Sequence, residues 1–366
     1  DSSLGLFGNR IDRLLRYGQD RQTIGIPIGP DTSLIIAEII LSAVDKALAT
    51  YCPVKLNGFR FVDDYEFGVP TAAQAEEILS ALQKALQDYE LGINFAKTKI
   101  RALPVPIDST WTSQLRNFQF KKDSESNLLE YFNLAFDLAS SFPDDSVLKY
   151  AVVRLHSFEV SEAHWQQVQN FLFQCAMNES GTLKAVIELL IKRYSEDYPI
   201  DKVTLREVLN YQICTKARTR CTHEIAWAIW ALIYWGQPVE AESVAALTGI
   251  ESSTAALLVL HARELGLLCA DIDVAPWEAA LTADGLYGPL WMLSYEANVK
   301  KWLDSETGTD HIENDENFEF LRRHNVEFFK IEAVPYNKPS GEEIEDEVMK
   351  AFYFTDDTDD FDLYGF

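Results

Sequence analysis

Two adjacent carboxylates, Asp63 and Asp64, interrupt the aromatic stretch Phe59-Arg60-Phe61-Val62-Asp63-Asp64-Tyr65-Glu66-Phe67. Like charges side by side repel and raise each other's pKa. A divalent cation removes that cost, because Mg2+ (or Mn2+) takes carboxylate oxygens and leaves positions for substrate phosphates. Two such ions roughly 4 Å apart stabilise the attacking and leaving oxygens of phosphoryl transfer. On its own, an Asp-Asp pair reads first as an ordinary acidic turn. Upstream, Gly25-Ile26-Pro27-Ile28-Gly29 is a second candidate, since glycines let a backbone come close to a base pair or sugar. Its plainer reading is a turn before a helix. Cys221-Thr222-His223 has no further ligands at metal-site spacing and reads as a packed helix start.

The elements that would position these residues follow from pattern. Arg10, Arg13 and Arg16 recur every three residues and share one helix face. The Gly/Pro loop at 25–30 cannot be helical. Asp31, Thr32 or Ser33 is expected to cap the next helix, whose apolar positions from Leu34 to Leu48 run nearly all round and predict burial. Alternation on both sides of Asp63-Asp64 predicts a β-hairpin with the acids at its tip. Thr71 to Gln74 has capping-box spacing, and Ile78, Leu79, Leu82, Leu86 and Tyr89 follow at helical spacing up to Gly92. Ile93 to Ile100 reads as a further strand carrying Lys97 and Lys99.

Charge divides the chain. Residues 1–122 hold 14 Lys and Arg against 14 Asp and Glu; residues 123–302 hold 13 against 24, and 303–366 hold 5 against 19. The overall charge of −25 excludes a uniformly basic nucleic-acid coat and points any polyanion site to the neutral first third. With 47% hydrophobic residues the chain is no disordered polymer. No apolar run reaches the roughly 18 residues a bilayer span needs, so no membrane partner is expected. Five scattered cysteines read as reduced thiols, and the expected location is cytoplasmic. The start, Asp1-Ser2-Ser3-Leu4, is not a signal peptide and is expected to lie inside a longer chain.

The order loop, buried helix, acidic hairpin, amphipathic helix and Lys-bearing strand resembles the palm of reverse transcriptases. Gly25-Ile26-Pro27-Ile28-Gly29 resembles motif B, Phe61-Val62-Asp63-Asp64 motif C, and Gly92-Ile93-Asn94-Phe95-Ala96-Lys97-Thr98 motif D. The wording Ile-Gly-Pro-Asp-Thr-Ser at 28–33 and the run 60–67 are similar to bacterial abortive-infection and defence-associated reverse transcriptases, in which a long helical domain replaces the usual thumb. Motif-level resemblance covers roughly residues 20–100. It implies an RNA-directed DNA polymerase in antiviral defence, with an RNA template, a DNA product, deoxynucleotides and Mg2+ or Mn2+. Asp63 is then the principal metal ligand and Asp64 its partner. Gly25, Pro27 and Gly29, with Phe61, shape the substrate site, and Lys97 (Lys99 second) is the acid for the leaving pyrophosphate. Two departures stand out. Ile28 replaces the family's usual Gln. Motif A, which supplies a metal-binding Asp on an upstream strand, is missing: Asp1, Asp12 and Asp20 lie in polar or helical settings. The chain as given is therefore expected to be inactive alone. The competing reading is a non-catalytic nucleic-acid-binding or scaffold protein that keeps the palm; a third is a polymerase working without template.

The expected fold is α+β, a partial right-hand polymerase palm followed by a large all-α, repeat-like helical domain, mainly α overall. Its divisions are 1–102 for fingers and palm, 103–126 as connector, 127–302 as helical domain and 303–366 as an acidic region with a solvated tail. No fixed sequence period is visible. Residues 225–235, rich in Trp, predict one strongly buried helix. Residues 242–268 have helix-turn-helix spacing but offer Glu251, Ser252, Ser253 and Thr254 where a reading helix wants Arg, Lys, Asn or Gln, so a structural hairpin is expected. Lys216, Arg218 and Arg220, with Lys192 and Arg193, are the polyanion candidates here, a solvated helix face being the alternative. A homo-oligomer through the helical domain is left open.

Overall fold

The computed structural model describes residues 5–19, 21–27, 29–104, 109–121, 124–179 and 181–331. Asp1, Asp20, Ile28 and the acidic stretch 356–362 lie outside the described residues. The chain is mainly helical, with one two-stranded sheet among the described residues, and divides into two compact units, Asp1–Pro106 and Ile107–Phe366.

In the first unit, α1 (Phe7–Tyr17) buries none of its side chains. Helix α2 (Asp31–Tyr51) packs against α3 (Ala72–Gln87). Leu41, Val44 and Leu48 recur at helical spacing on α2, and Ile78, Ala81, Leu82, Ala85 and Leu86 on α3, so each helix turns one stripe inward. Val44 and Leu48 meet Ala81, Leu82, Ala85 and Leu86, with Tyr65, Phe67 and Ile93 packed on the edge of that cluster. Thr71 caps α3, its hydroxyl accepting the Gln74 N–H at 3.3 Å. The Tyr51 hydroxyl ties the end of α2 to Asp88 at 2.6 Å. Between the helices, β1 (Gly58–Phe61) pairs antiparallel with β2 (Asp64–Phe67). Gly58 is required there, because a Cβ would collide with the Glu66 carbonyl.

Three expectations for this unit change. Helix α2 is not buried all round: Leu34, Ile35 and Ile39 are 61–62% exposed. One helix and one hairpin cover a single stripe of α2, and its first turns carry their apolar residues into solvent. None of Asp31, Thr32 or Ser33 caps that helix with its side chain; the N-cap is Pro30, whose carbonyl accepts the Ser33 N–H at 2.9 Å. Residues 93–100 form no strand. Asn94 folds them into a turn, its side-chain oxygen accepting the Ala96 N–H at 3.0 Å and its carbonyl the Thr98 N–H at 3.1 Å.

The second unit runs through α4 (Thr110–Asn117), α5 (Glu125–Ser141), α6 (Val147–Leu155), α7 (Trp165–Asn178), α8 (Thr182–Ser195), α9 (Lys202–Thr219), α10 (Thr222–Tyr234), α11 (Ala241–Leu247), α12 (Ser253–Glu264), α13 (Ala275–Glu278), α14 (Trp291–Val299) and α15 (Glu316–Arg323). Helices pack on their sequence neighbour and on the next but one: α6 on α8, α7 on α9, α8 on α10, α9 on α11, α10 on α12 and α12 on α14. That is the pattern a stack of helical hairpins produces. One continuous core runs from Trp111 to Leu303. Buried amides lace the stack: Gln169 accepts the Asp201 N–H at 2.9 Å, Gln212 donates to the Ala176 carbonyl at 2.7 Å, and Asn210 accepts the Glu240 N–H at 2.8 Å.

The stretch 103–126, expected to be a connector, holds α4, which sends Trp111 and Leu115 into this core. The stretch after 302 is folded as far as it is described. Ile312 and Phe318 join Leu286 and Tyr295 in a small second core. In α10, Ile225, Ala228, Ile229, Ala231 and Leu232 are buried as expected, whereas Trp227 and Trp230 are half-buried. No described helix is long and apolar enough to cross a membrane.

Candidate functional site

The hairpin register places Gly58 opposite Phe67, Phe59 opposite Glu66, Arg60 opposite Tyr65 and Phe61 opposite Asp64. Only Val62 and Asp63 remain to close the chain. Val62 takes φ 53°, the left-handed region that a β-branched side chain strongly disfavours. Such a conformation costs on the order of 1–3 kcal/mol and persists where its surroundings over-determine it.

Closure of a hairpin in two residues itself calls for positive φ at this position, and Arg60 adds a hold on the peptide that follows. Because side chains alternate along a strand, Arg60 and Tyr65 face α2 while Phe59 and Phe61 face away, Phe61 being 72% exposed. The Arg60 side chain is only 10% exposed. It donates from Nη1 to Glu38 at 2.8 Å and from Nη2 to Glu38 at 2.7 Å and Asp45 at 2.9 Å. Nη1 also reaches the Val62 carbonyl at 2.5 Å. The Tyr65 hydroxyl donates to Asp45 at 2.8 Å. Hydrogen bonds from Arg60 hold the Glu38 carboxyl below the usual range and raise the guanidinium pKa further. Burial, then the bond to Asp45, pushes the Tyr65 hydroxyl up.

At this tip the structure brings Phe61, Asp63 and Asp64 together, with both acids exposed. Two hard-oxygen donors suit Mg2+ or Mn2+, which commonly takes one or two carboxylates and fills its shell with phosphates and water. Among the described residues no group of three or more His, Cys, Asp or Glu side chains could hold a metal by itself. Sequence reasoning missed Arg60, Glu38, Asp45 and Tyr65. The available signal was a pair of acids seven residues apart on an otherwise apolar helix.

The loop before α2 is a loop as expected, with Gly25 at φ 77° and its carbonyl accepting from the Gln19 side chain at 3.0 Å. Pro27 is half-buried and Gly29 exposed. Lys97 ends the Asn94 turn, its N–H donating to the Asn94 carbonyl at 3.2 Å, and both Lys97 and Lys99 are exposed. On α1, Arg16 pairs with Asp12 at 2.7 Å, Arg13 lies over the Tyr17 ring at 5.4 Å, and Arg10 is exposed.

In the second unit, Lys216 and Arg218 occupy the last turn of α9 and Arg220 its left-handed C-cap. Arg220 meets Glu251 at 3.7 Å, with both side chains at least 80% exposed. Lys192 and Arg193 are not a polyanion surface. The Arg193 guanidinium is buried, pairing with Glu196 at 2.8 Å and donating to the Phe158 carbonyl, while Lys192 donates to the His156 carbonyl. The end of α8 abuts residues 155–158, so this basic pair braces a loop. Helix α12 buries Ala255 to Ala262 continuously and is a packed hairpin member, not a groove-reading helix. Compared with protein-family models, with curated proteins and with solved structures, the chain matches none.

Proposed function

We propose that the first unit is the part of a reverse-transcriptase palm that carries motifs B, C and D, and that the protein is an RNA-directed DNA polymerase of the bacterial defence type. The observation that carries this reading is the Asp63-Asp64 pair on a two-residue turn in which Val62 is left-handed and its carbonyl accepts from Arg60. A two-residue hairpin turn calls for positive φ at its first position, which Gly, Asn or Asp supplies at little cost; a β-branched Val there is the unusual feature, and strain of this kind gathers at functional sites. In this reading Asp63 and Asp64 hold Mg2+ or Mn2+ together with the phosphates of a deoxynucleotide. The cation, when bound, supplies positive charge to the oxygens of phosphoryl transfer. Gly25, Pro27, Gly29 and Phe61 shape the substrate site, and Lys97 faces the leaving group. Arg10, Arg13 and Arg16 contact nucleic acid, and Lys216, Arg218 and Arg220 guide the product strand along an otherwise acidic helical unit.

The second reading, a nucleic-acid-binding scaffold that keeps the palm, draws on exposed Arg10 and Arg13 of α1 and the basic end of α9 without requiring chemistry at the turn. Nucleotide incorporation by the protein purified from its native source separates the two. Replacing Asp63 and Asp64 together by Asn abolishes incorporation in an enzyme, with circular dichroism checking that the fold is kept. Wild-type incorporation by the double variant rejects the metal-site assignment, and a wild-type protein that binds primer-template but never extends it favours the scaffold.

A further inference from the structure

We infer that Arg60 is a positioning residue for the acidic pair, a reading that rests on the metal-site assignment above and adds the device that keeps the site formed. Three of its features argue together. First, its donors are spent on two directions at once. Glu38 and Asp45 anchor the guanidinium to α2, and the same Nη1 that donates to Glu38 reaches forward to the Val62 carbonyl. Second, that carbonyl belongs to the one residue whose backbone is left-handed in the turn. Holding it fixes the peptide that leads directly into Asp63. Third, the anchor is rigid. Arg60 is nearly buried, and both its acid partners stand on one helix, α2. A planar fork with several donors can satisfy all three partners, whereas an ammonium on a flexible stem cannot.

The sign of the effect separates positioning from simple electrostatics. Arg60 is a cation near a proposed cation site. Removing it leaves Glu38 and Asp45 uncompensated, and the field alone then predicts tighter metal binding. Loss of the support predicts the opposite, because a turn released from φ 53° no longer presents its carboxylates in one arrangement. Groups that support metal ligands at one remove typically contribute 10–100-fold to affinity.

The test uses Mn2+ as probe on the 366-residue chain, with free Mn2+ read by electron paramagnetic resonance. Wild type is compared with the Asp63→Asn/Asp64→Asn double variant, with Arg60→Lys, which keeps the charge and loses the fork, and with Arg60→Gln, which loses both. Tyr65→Phe is the control, since it removes a bond to Asp45 and leaves the contact between Arg60 and Val62. Expected are loss of the site in the double Asn variant, affinity at least tenfold weaker in Arg60→Lys, weaker binding also in Arg60→Gln although the lost charge alone would tighten it, and Tyr65→Phe within twofold of wild type. Amide exchange at Phe61 and Asp64, the pair that closes the ladder, should quicken about tenfold in Arg60→Lys without any metal, a readout that survives even if Mn2+ does not bind. Mn2+ binding untouched by the double Asn variant defeats the metal-site assignment. A site lost in that variant, but unchanged or tighter in Arg60→Lys with unaltered amide exchange, defeats the positioning role alone. Equal losses in Arg60→Lys and Tyr65→Phe reduce Arg60 to general packing.

Discussion

The Tyr65 hydroxyl donates to Asp45 at 2.8 Å across the space between β2 and α2, and Asp45 in turn accepts from Arg60 at 2.9 Å. One carboxylate thus joins both strands of the hairpin to the helix. Hydrogen bonds to charged acceptors contribute about 1.5–3 kcal/mol when buried, and partial exposure of Asp45 brings the expectation for Tyr65→Phe down to about 1 kcal/mol. Because the hydroxyl pKa is raised above its ordinary 10, this stabilisation is fully present below pH 10 and is lost as pH rises beyond it. All eight tryptophans lie in the second unit, so tryptophan fluorescence is blind to this change. Amide exchange of the hairpin as a function of pH measures it, and Tyr65→Phe should remove the alkaline component.

Val62→Asn should stabilise the first unit by about 1 kcal/mol, since Asn tolerates the left-handed region and Val62 packs little. Slower amide exchange across β1 and β2 is the expected result. Faster exchange would mean that the Val62 side chain contributes more than its backbone costs.

His156 predicts acid sensitivity in the second unit. Burial, with Lys192 and Arg193 nearby, lowers its pKa from 6.5 to about 4. A group whose folded pKa is depressed contributes stability above its unfolded pKa and loses it as pH falls. The window here is pH 6.5 to 4, with a loss of up to about 3 kcal/mol. The Glu179 carboxyl, pushed upward by burial, works in the opposite direction. Urea midpoints followed by tryptophan fluorescence should fall across this window in wild type and flatten in His156→Gln.

Charge reversal at Lys216, Arg218 and Arg220 should weaken binding of single-stranded nucleic acid. Arg220 gives up little, because its pairing with Glu251 is fully exposed. Three lost phosphate contacts lower the slope of log affinity against log salt by about 2. An unchanged slope would leave this helix end as a solvated face.

Much of this architecture was legible in residue pattern. Alternating aromatics announced the hairpin, Thr71 announced the start of α3, and the missing basic residues at Ser252 to Thr254 agreed with a buried α12. The failures share a cause. Periodicity shows which residues form a face but not what covers it, so Leu34, Ile35 and Ile39 looked like core. Local side-chain chemistry overrode apolar pattern at Asn94. Lys192 and Arg193 looked solvated because the loop they brace lies some 35 residues earlier in the chain. Arg60 was hidden for the same reason. Its partners lie on an earlier helix, and nothing in a strand's alternation says that an inward-facing arginine will find two acids waiting.

The next-but-one packing of the second unit has a consequence for how such a protein can change over time. Among the described residues the principal contacts reach only two helices along the chain, and none of these closes the stack on itself. Substitutions near one end of the stack therefore leave the principal contacts of the other end intact, and the two ends are free to change independently of each other.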